Sequence, residues 1–264
     1  MAERHPDSTV AICSLFPDLL GTYGDGGNAL VLAKRLEWRG IPSRIVEVES
    51  GAPVPETADV YLLGGGEDAP QSEAARELGS DGPLHRAVDT GAVVLAVCAG
   101  MQITGRAFPD NTGAPVPGLG LLDCVTVKTD EPRAVGELLV AGDEGLGLPP
   151  LTGFENHGGR TRPGPTARVF GRVDAGVGNG DGTEGVCDLS GRGKVVGTYL
   201  HGPVLARNPA LADLLLGWVV GAPLPALDDG DADALRAERL RAVEQGNLDG
   251  VAHRTWRDRL LRRS

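Results

Sequence analysis

The chain has 264 residues, and its 25 lysine and arginine side chains are outnumbered by 36 aspartate and glutamate side chains, for a formal net charge of −11. This acidic balance argues against a general nucleic-acid-binding protein, which needs a basic surface. No apolar run approaches the roughly 20 residues that span a bilayer, so membrane insertion is not expected. The length suits one buried α/β domain with an appended segment.

The N-terminus and the cysteines narrow the class of protein further. Residues 1–7 lack the apolar core of a signal peptide, which predicts a cytoplasmic protein. The four cysteines, at positions 13, 98, 124 and 187, form no C-x-x-C pair. We therefore expect neither a metal site nor a disulfide framework.

Strand and helix patterns alternate along the first part of the chain. The predicted strands lie at 10–15, 44–48, 59–63 and 93–97, and the predicted helices at 27–39 and within 67–90. This order predicts an α/β fold with a flavodoxin-like, doubly wound and mostly parallel sheet. Functional side chains of such a sheet gather at the carboxyl ends of its strands.

The strand at 93–97 delivers Cys98 into a turn of small residues. Ala99 and Gly100 permit a sharp turn, and a helix after it would direct its amide dipoles at the sulfur and favour the thiolate. This pattern is typical of a nucleophile at a strand end. The alternative is a structural cysteine, since free cysteine is common in protein cores.

A second apolar strand, within 195–203, ends at His201. A cysteine nucleophile needs a base that is close in space, although the two can be far apart in sequence. Two strand ends of one sheet would bring Cys98 and His201 together. A strand-terminal histidine bonded only to backbone is the alternative for His201.

The second half of the chain has a different pattern. Short strands separated by glycine and polar turns are predicted between 119 and 200, for example at 135–140 and 167–171. The segment 174–185, rich in glycine and aspartate, predicts an exposed loop.

The end of the chain predicts two more helices. Asn208 and Pro209 resemble the N-cap and first turn of a final core helix. We place the main domain at 1–222 and a C-terminal helical extension at 223–264. A helix at 231–245 would carry an apolar stripe that needs a surface, on this domain or on a partner.

The cysteine turn and four other segments resemble a known family. The sequence at 98–102, C-A-G-M-Q, is similar to the C-x-G-x-Q turn of class I glutamine amidotransferases. The closer resemblance is to their cobyric-acid-synthase-like (CobB/CobQ) branch and, within it, to the GatD family of glutaminase subunits. It rests on the segments 22–28, 63–68, 153–161 and 197–203, of which the last two are the most specific.

This resemblance implies a glutaminase in which Cys98 and His201 release ammonia from L-glutamine. The implied partner is a Mur-ligase-like subunit, MurT, which forms a heterodimer with the glutaminase and converts D-glutamate of lipid II to D-isoglutamine. ATP and Mg²⁺ are expected on that partner, because this chain carries no ATP-binding motif. No cofactor is expected on the chain itself.

The resemblance also implies residues that bind the substrate. Gln102 belongs to the cysteine turn, and Arg133 lies where the family carries an arginine that holds the substrate. A guanidinium fork fits an α-carboxylate bidentately. A solvated loop arginine is the alternative for Arg133.

The glycine run at 64–66 follows the third strand but lacks the spacing of a phosphate-binding loop. We interpret it as part of an oxyanion hole, in which the backbone amide of Gly65 or Gly66 acts together with that of Ala99. A plain turn is the alternative.

One position departs from the wider superfamily. Pro203 stands two residues after His201, where many class I members carry a glutamate. A backbone carbonyl, Asp25 or an acid from the partner could orient His201 instead, and an acid from the partner is the preferred hypothesis. His157 is expected to have a structural or partner-contacting role and is not expected to be a second base.

Two other functions stay open at this point. A glutaminase that serves cobyrinate amidation is disfavoured, because those enzymes usually carry a fused ATP-binding domain. A catalytically silent binding subunit of the same fold is the second alternative.

Overall fold

The computed structural model describes residues 9–22 and 24–245. Residues 1–8, Tyr23 and the last part of the predicted extension, 246–264, lie outside the described residues. The first part of the chain alternates strands and helices as predicted. Its elements are β1 (Val10–Leu15), α1 (Pro17–Leu20), α2 (Gly27–Glu37), β2 (Ser43–Val48), β3 (Val60–Leu63), α3 (Asp68–Leu78), α4 (Pro83–Thr90), β4 (Val93–Val97) and α5 (Ala99–Thr104).

The second part is mainly β structure and closes with helices. Its strands are β5 (Ala107–Pro109), β6 (Pro115–Pro117), β7 (Cys124–Lys128), β8 (Ala134–Gly142), β9 (Leu151–His157), β10 (Gly159–Pro163), β11 (Arg168–Ala175), β12 (Thr183–Asp188) and β13 (Lys194–Thr198). Its helices are a short 3-10 helix (Glu144–Leu146), α6 (Val204–Arg207), α7 (Pro209–Val220) and α8 (Gly230–Glu244). Within the described ranges, no helix is long and apolar enough to cross a bilayer.

The large sheet joins both parts of the chain. Its strand order is β2-β1-β3-β4-β13-β12-β11-β8-β9, and the first five strands are parallel. These five follow the flavodoxin-like order 2-1-3-4-5, with β13 as the fifth strand. The predicted fold class is therefore confirmed. The other four strands extend the sheet through antiparallel pairs in the order β12-β11-β8-β9, and a second sheet has the order β10-β7-β5-β6.

The topology places the site at one edge of the parallel strands. All residues of β1, β3 and β4 are buried, as expected for central strands with apolar sequences. The last pair in the β4–β13 register is Val97 with Thr198. Cys98 therefore follows β4 next to the segment that follows β13, although the two segments are far apart in sequence.

The prediction of an exposed loop at 174–185 is wrong in part. Residues 176–182 do form a loop, but the range also contains the end of β11 and the start of β12, and both Asn179 and Glu184 are buried. The Asn179 amide donates to Thr183 Oγ1 and to the Gly185 carbonyl. The buried polar side chains form hydrogen bonds within the fold. The polar composition of this segment therefore did not indicate exposure to solvent.

Asn208 precedes Pro209 and α7 as predicted, but its side chain does not cap that helix. The amide instead accepts from Thr152 N at 2.9 Å and donates to Thr152 O at 2.8 Å. It also donates to Val204 O at 2.8 Å. Asn208 thereby ties β9 to the helices at the end of the domain.

The described part of the extension packs on the main domain. Helix α8 contacts α6 and β9. The buried Arg35 of α2 donates to Asp213 of α7 and to Asp229, which directly precedes α8. The boundary at residue 222 stays a prediction.

Candidate active site

Cys98 lies in a strained turn between β4 and α5. Its φ of 52° and ψ of −105° lie in a region that non-glycine residues rarely adopt. The next turn depends on Gly100, since a Cβ there would lie 2.7 Å from both Cβ and O of Leu63. The Cys98 amide donates to Thr198 O at 2.8 Å, which fixes the turn against the end of β13.

His201 is fixed by the backbone of β9. Its amide donates to Phe154 O at 2.8 Å, and its carbonyl accepts from Phe154 N at 3.1 Å. Gly153 lets the two segments approach, because a Cβ there would lie 2.7 Å from Leu200 Cδ2. In this position the imidazole lies beside Cys98, whose side chain contributes to raising the pKa of the ring. The two residues that the sequence paired are therefore neighbours.

Asp25 completes a row of three side chains. Its Oδ2 lies 3.1 Å from Nδ1 of His201, and both side chains are 2% exposed. This contact supports Asp25 among the candidates for orienting His201, and the preferred hypothesis of an acid from a partner subunit stays a prediction. The same Oδ2 accepts from Gly65 N at 2.9 Å, so the carboxylate has a fixed orientation.

The surroundings of His201 favour its protonated form. Burial lowers the pKa of the imidazole, but hydrogen bonds with Asp25 and Cys98 and the charges of both outweigh burial and raise it to about 10. An imidazolium next to the sulfur favours a thiolate. At neutral pH, His201 therefore holds a proton that it can give to a leaving group.

The predicted oxyanion hole needs one correction. The Gly65 amide already donates to Asp25, which removes it as a donor to a substrate oxygen. Gly66 and Ala99 line the same cavity as Cys98. These two residues are left for the predicted role, which stays a prediction.

A cavity of about 280 Å³ opens beside Cys98. Charged side chains of both signs line it, namely Glu67, Asp68, Asp110, Lys128, Glu131 and Arg133. A free amino acid carries both an ammonium and a carboxylate group. The charge pattern therefore suits a zwitterion of small size.

Both residues predicted to bind substrate lie in this cavity. The exposed Arg133 donates from Nε to Asn156 Oδ1 at 2.6 Å and from Nη2 to Asn156 O at 3.2 Å. Gln102 is buried, accepts from Gln71 Nε2 at 2.9 Å and donates to the Tyr199 hydroxyl at 3.2 Å. Gln102 therefore belongs to the floor of the cavity, whereas Arg133 is at its rim.

Sequence reasoning missed Asn156, Gln71 and Tyr199. The carbonyl of Asn156 lies 4.0 Å from the Cys98 sulfur, and its amide oxygen orients Arg133. The signal for Asn156 was present in the segment 153–161, which was singled out without a role for each residue. Gln71, on α3, had no such signal.

Comparison with known proteins identifies the family. A profile of the CobB/CobQ-like glutamine amidotransferase domain matches residues 11–209. The chain belongs to this family. It is 33% identical over 211 residues to subunit GatD of the glutamine-hydrolysing lipid II isoglutaminyl synthase of Staphylococcus aureus, covering 78% of this chain and 83% of that protein. The Streptococcus pneumoniae subunit GatD is 32% identical over 203 residues, or 76% of each chain.

Other relatives in this family are larger proteins. The cobyric acid synthase of Rhodobacter capsulatus is 37% identical over 165 residues, which are 60% of this chain but only 32% of that protein. Among solved structures, the glutaminase domain of Trypanosoma brucei CTPS has a TM-score of 0.50 at 13% identity, covering 82% of this chain and 96% of that domain. This likeness supports the fold.

Proposed function

We propose that this family member is the glutaminase subunit of a lipid II isoglutaminyl synthase. The observation that carries the proposal is the row Asp25, His201 and Cys98 beside a cavity with charges of both signs. The GatD relatives, matched over most of their length, support the pathway. L-glutamine is the proposed substrate.

The first half of the proposed reaction forms a thioester. The Cys98 thiolate attacks the side-chain amide carbon of glutamine, and the carbonyl oxygen gains negative charge. Backbone amides of Gly66 and Ala99 are the proposed donors to that oxygen. The His201 imidazolium gives its proton to the departing nitrogen, so ammonia and a glutamyl thioester result.

The second half regenerates the enzyme. Once it has lost its proton, His201 accepts a proton from water, and the resulting hydroxide attacks the thioester carbon. The C–S bond breaks, glutamate leaves and the thiolate is restored beside a protonated His201. Asp25 keeps Nδ1 of the ring in place through both halves, which leaves Nε2 for proton transfer.

Arg133 is the proposed partner of the substrate α-carboxylate. Its guanidinium is held at the cavity rim by Asn156, which leaves its remaining N–H groups to bind a carboxylate. We expect Arg133→Ala to raise the glutamine KM roughly tenfold or more while kcat changes less, as measured by glutamate release. An unchanged KM would remove Arg133 from the binding site. Arg162, on β10 and not among the residues that line the cavity, provides the control Arg162→Ala.

The proposed acceptor reaction takes place on another polypeptide. A MurT-like Mur ligase would bind ATP and Mg²⁺, activate the α-carboxylate of D-glutamate in lipid II and receive the ammonia. The proposed product is D-isoglutamine.

The cobyric acid synthase relatives make cobyrinate amidation the second candidate. This chain matches only 32% of the length of the first of those proteins. Co-purification from the native cells, with proteins identified by mass spectrometry, separates the two pathways. A Mur-ligase-like protein supports lipid II amidation, and a cobyrinate-amidating synthetase contradicts it.

Covalent labelling tests the glutaminase itself. A diazo-ketone analogue of glutamine should add one label to the wild-type chain at Cys98, and Cys98→Ser should take up none. Burial raises the pKa of Cys187 to about 12, so this thiol is a poor nucleophile and Cys187→Ser is the matched control. A silent binding subunit would leave wild type and Cys98→Ser alike.

A further inference from the structure

His157 is a buried histidine that the proposed mechanism does not use. It lines the cavity of Cys98 and is 2% exposed. Nδ1 lies 3.0 Å from the Gly159 carbonyl oxygen, and Nε2 lies 3.2 Å from Oε2 of Glu155. Both ring nitrogens therefore have an oxygen partner.

The identity of these partners decides where the ring protons are. A carbonyl oxygen only accepts, so Nδ1 must donate. Glu155 is itself buried, and its Oε1 accepts from Val177 N at 2.7 Å while its Oε2 accepts from Gly178 N at 2.9 Å. Backbone donors at both oxygens favour the ionised carboxylate, which also only accepts. Nε2 must then donate as well, and the ring carries two protons.

The stacking partner of His157 suits a cation. The rings of His157 and Tyr199 are 3.6 Å apart between centroids and 13° from parallel. The negative face of an aromatic ring attracts a positive charge placed over it. The Tyr199 hydroxyl bonds to Thr161 at 2.7 Å and to Gln102, so the aromatic ring is fixed in turn.

Cys98 lies close to this stack. Burial is the largest cause that raises the pKa of Tyr199; the Thr161 hydrogen bond lowers this pKa, and the charge of Cys98 raises it. The sulfur lies 4.0 Å from the carbonyl of Asn156, the residue before His157. A fixed positive charge here lowers the free energy of a thiolate.

We propose that Glu155 and the Gly159 carbonyl hold His157 as a permanent imidazolium, which stabilises the Cys98 thiolate in addition to His201. This inference rests on the proposed function, because it takes Cys98 as the nucleophile. His157 then acts through the Cys98 sulfur and is a positioning residue, because its role is to place a positive charge near that sulfur. It cannot serve as a second base, since neither nitrogen has a lone pair free to accept a proton.

Other ionisable groups surround the same residues. Arg160 donates to the Gly159 carbonyl at 3.1 Å, and the charge of Glu155 acts on Glu184. Glu67, Asp68, Asp110, Lys128, Glu131 and Arg133 line the cavity beside Cys98. A test must therefore read His157 directly as well as through the sulfur.

Nitrogen-15 spectra of the histidine rings in the full chain give the direct reading. At pH 7 we expect both His157 nitrogens to show the protonated chemical shift, with the signal assigned by its loss in His157→Gln. One unprotonated nitrogen overturns the proposal. Should that variant not fold, sequential backbone assignment of the wild type identifies the same ring.

Alkylation of Cys98 by iodoacetamide gives the second reading. We expect Glu155→Gln and His157→Gln to shift the pH midpoint of alkylation upward by about one pH unit. The rate of alkylation at pH 7 should then fall roughly tenfold. His85→Gln is the matched control, because His85 bonds to the Leu119 carbonyl outside this cavity. An unchanged midpoint in both variants overturns the role toward the sulfur.

These readings separate the inference from the proposed function. The ring-nitrogen spectrum does not depend on turnover, so it stands even if the chain hydrolyses no glutamine. If Cys98→Ser keeps glutaminase activity, the proposed function fails while the spectrum is unchanged. If the spectrum shows a neutral ring in an active enzyme, only the inference fails.

Discussion

At the scale of single residues, the conformation of Cys98 has a cost. Its positive φ is favoured for glycine and unfavourable for a side chain with a Cβ. The surrounding structure holds it there through Gly100 against Leu63 and through the hydrogen bond to Thr198 O. The chain therefore gives up stability to present the sulfur at the start of α5.

Replacing Cys98 with glycine should relieve this strain. We expect the free energy of unfolding of Cys98→Gly to be about 1 kcal/mol larger than that of Cys98→Ala. Backbone strain of this kind costs about 1–3 kcal/mol, and the larger conformational entropy that glycine loses on folding offsets part of the gain. Urea denaturation measures the difference. Ala99→Gly, at the first position of α5, is the control and should destabilise. An alanine variant as stable as the glycine variant would contradict the argument.

The Asp25 carboxylate is expected to have a large effect on the rate through His201. Asp25→Asn keeps the size of the side chain but removes the charge that holds the His201 proton. We expect kcat for glutamine hydrolysis to fall roughly a hundredfold or more, with little change in KM. Asp18→Asn, in the exposed contact with Ser50, is the control. A kcat within twofold of wild type would remove Asp25 from the mechanism.

At the scale of elements, β9 does more than extend the sheet. It pairs with β8, holds His201 through Phe154 and carries Asn156 and His157 to the cavity. Its other end is fastened by Asn208, which satisfies both backbone groups of Thr152. One strand therefore connects the end of the domain with the site.

Removing the Asn208 amide should loosen that connection. Asn208→Ala leaves the buried Thr152 N–H and C=O without their partner, and each unsatisfied group costs about 1–3 kcal/mol. We expect a loss of roughly 2–4 kcal/mol in the free energy of unfolding, measured in urea. The exposed Asn111→Ala should stay within about 0.5 kcal/mol of wild type. If Asn208→Ala also stays within about 0.5 kcal/mol of wild type, the hydrogen bonds of Asn208 to Thr152 do not stabilise β9.

The sequence predicts some of these elements better than others for a physical reason. Central parallel strands such as β1 and β4 are buried on both faces, so their apolar runs identify them directly. The strand β12 is buried too, but it carries Glu184 and lies in a glycine-rich setting, which hides it from a hydrophobic pattern. The contact of Asp25 with His201 spans 176 positions and follows from topology, which local patterns do not encode.

At the scale of the whole molecule, Glu184 links stability to pH. It is completely buried and accepts from Thr198 Oγ1 and Tyr199 N at its Oε1, while its Oε2 has no hydrogen-bond partner among the described residues. Burial raises its pKa to about 7, from 4.5. Between these values the folded chain holds a proton that the unfolded chain has lost. Stability therefore falls as pH rises through this window.

The variant Glu184→Gln should remove this dependence. We expect its advantage in free energy of unfolding over wild type to grow from pH 5 to pH 8, by up to roughly 3 kcal/mol. Urea denaturation at several pH values measures it. Glu144→Gln, at an exposed position, is the control. Parallel curves for Glu184→Gln and wild type would contradict the expected titration.

The buried guanidinium of Arg35 has a consequence for the evolution of this protein. It shares its charge between Asp213 of the main domain and Asp229 at the start of α8, at distances of 2.6–2.9 Å. A buried cation that loses one of its anions is costly. Arginine at position 35 and the acid at 229 are thus expected to have evolved together. Relatives whose chains end before this acid should carry a different residue where this protein has Arg35.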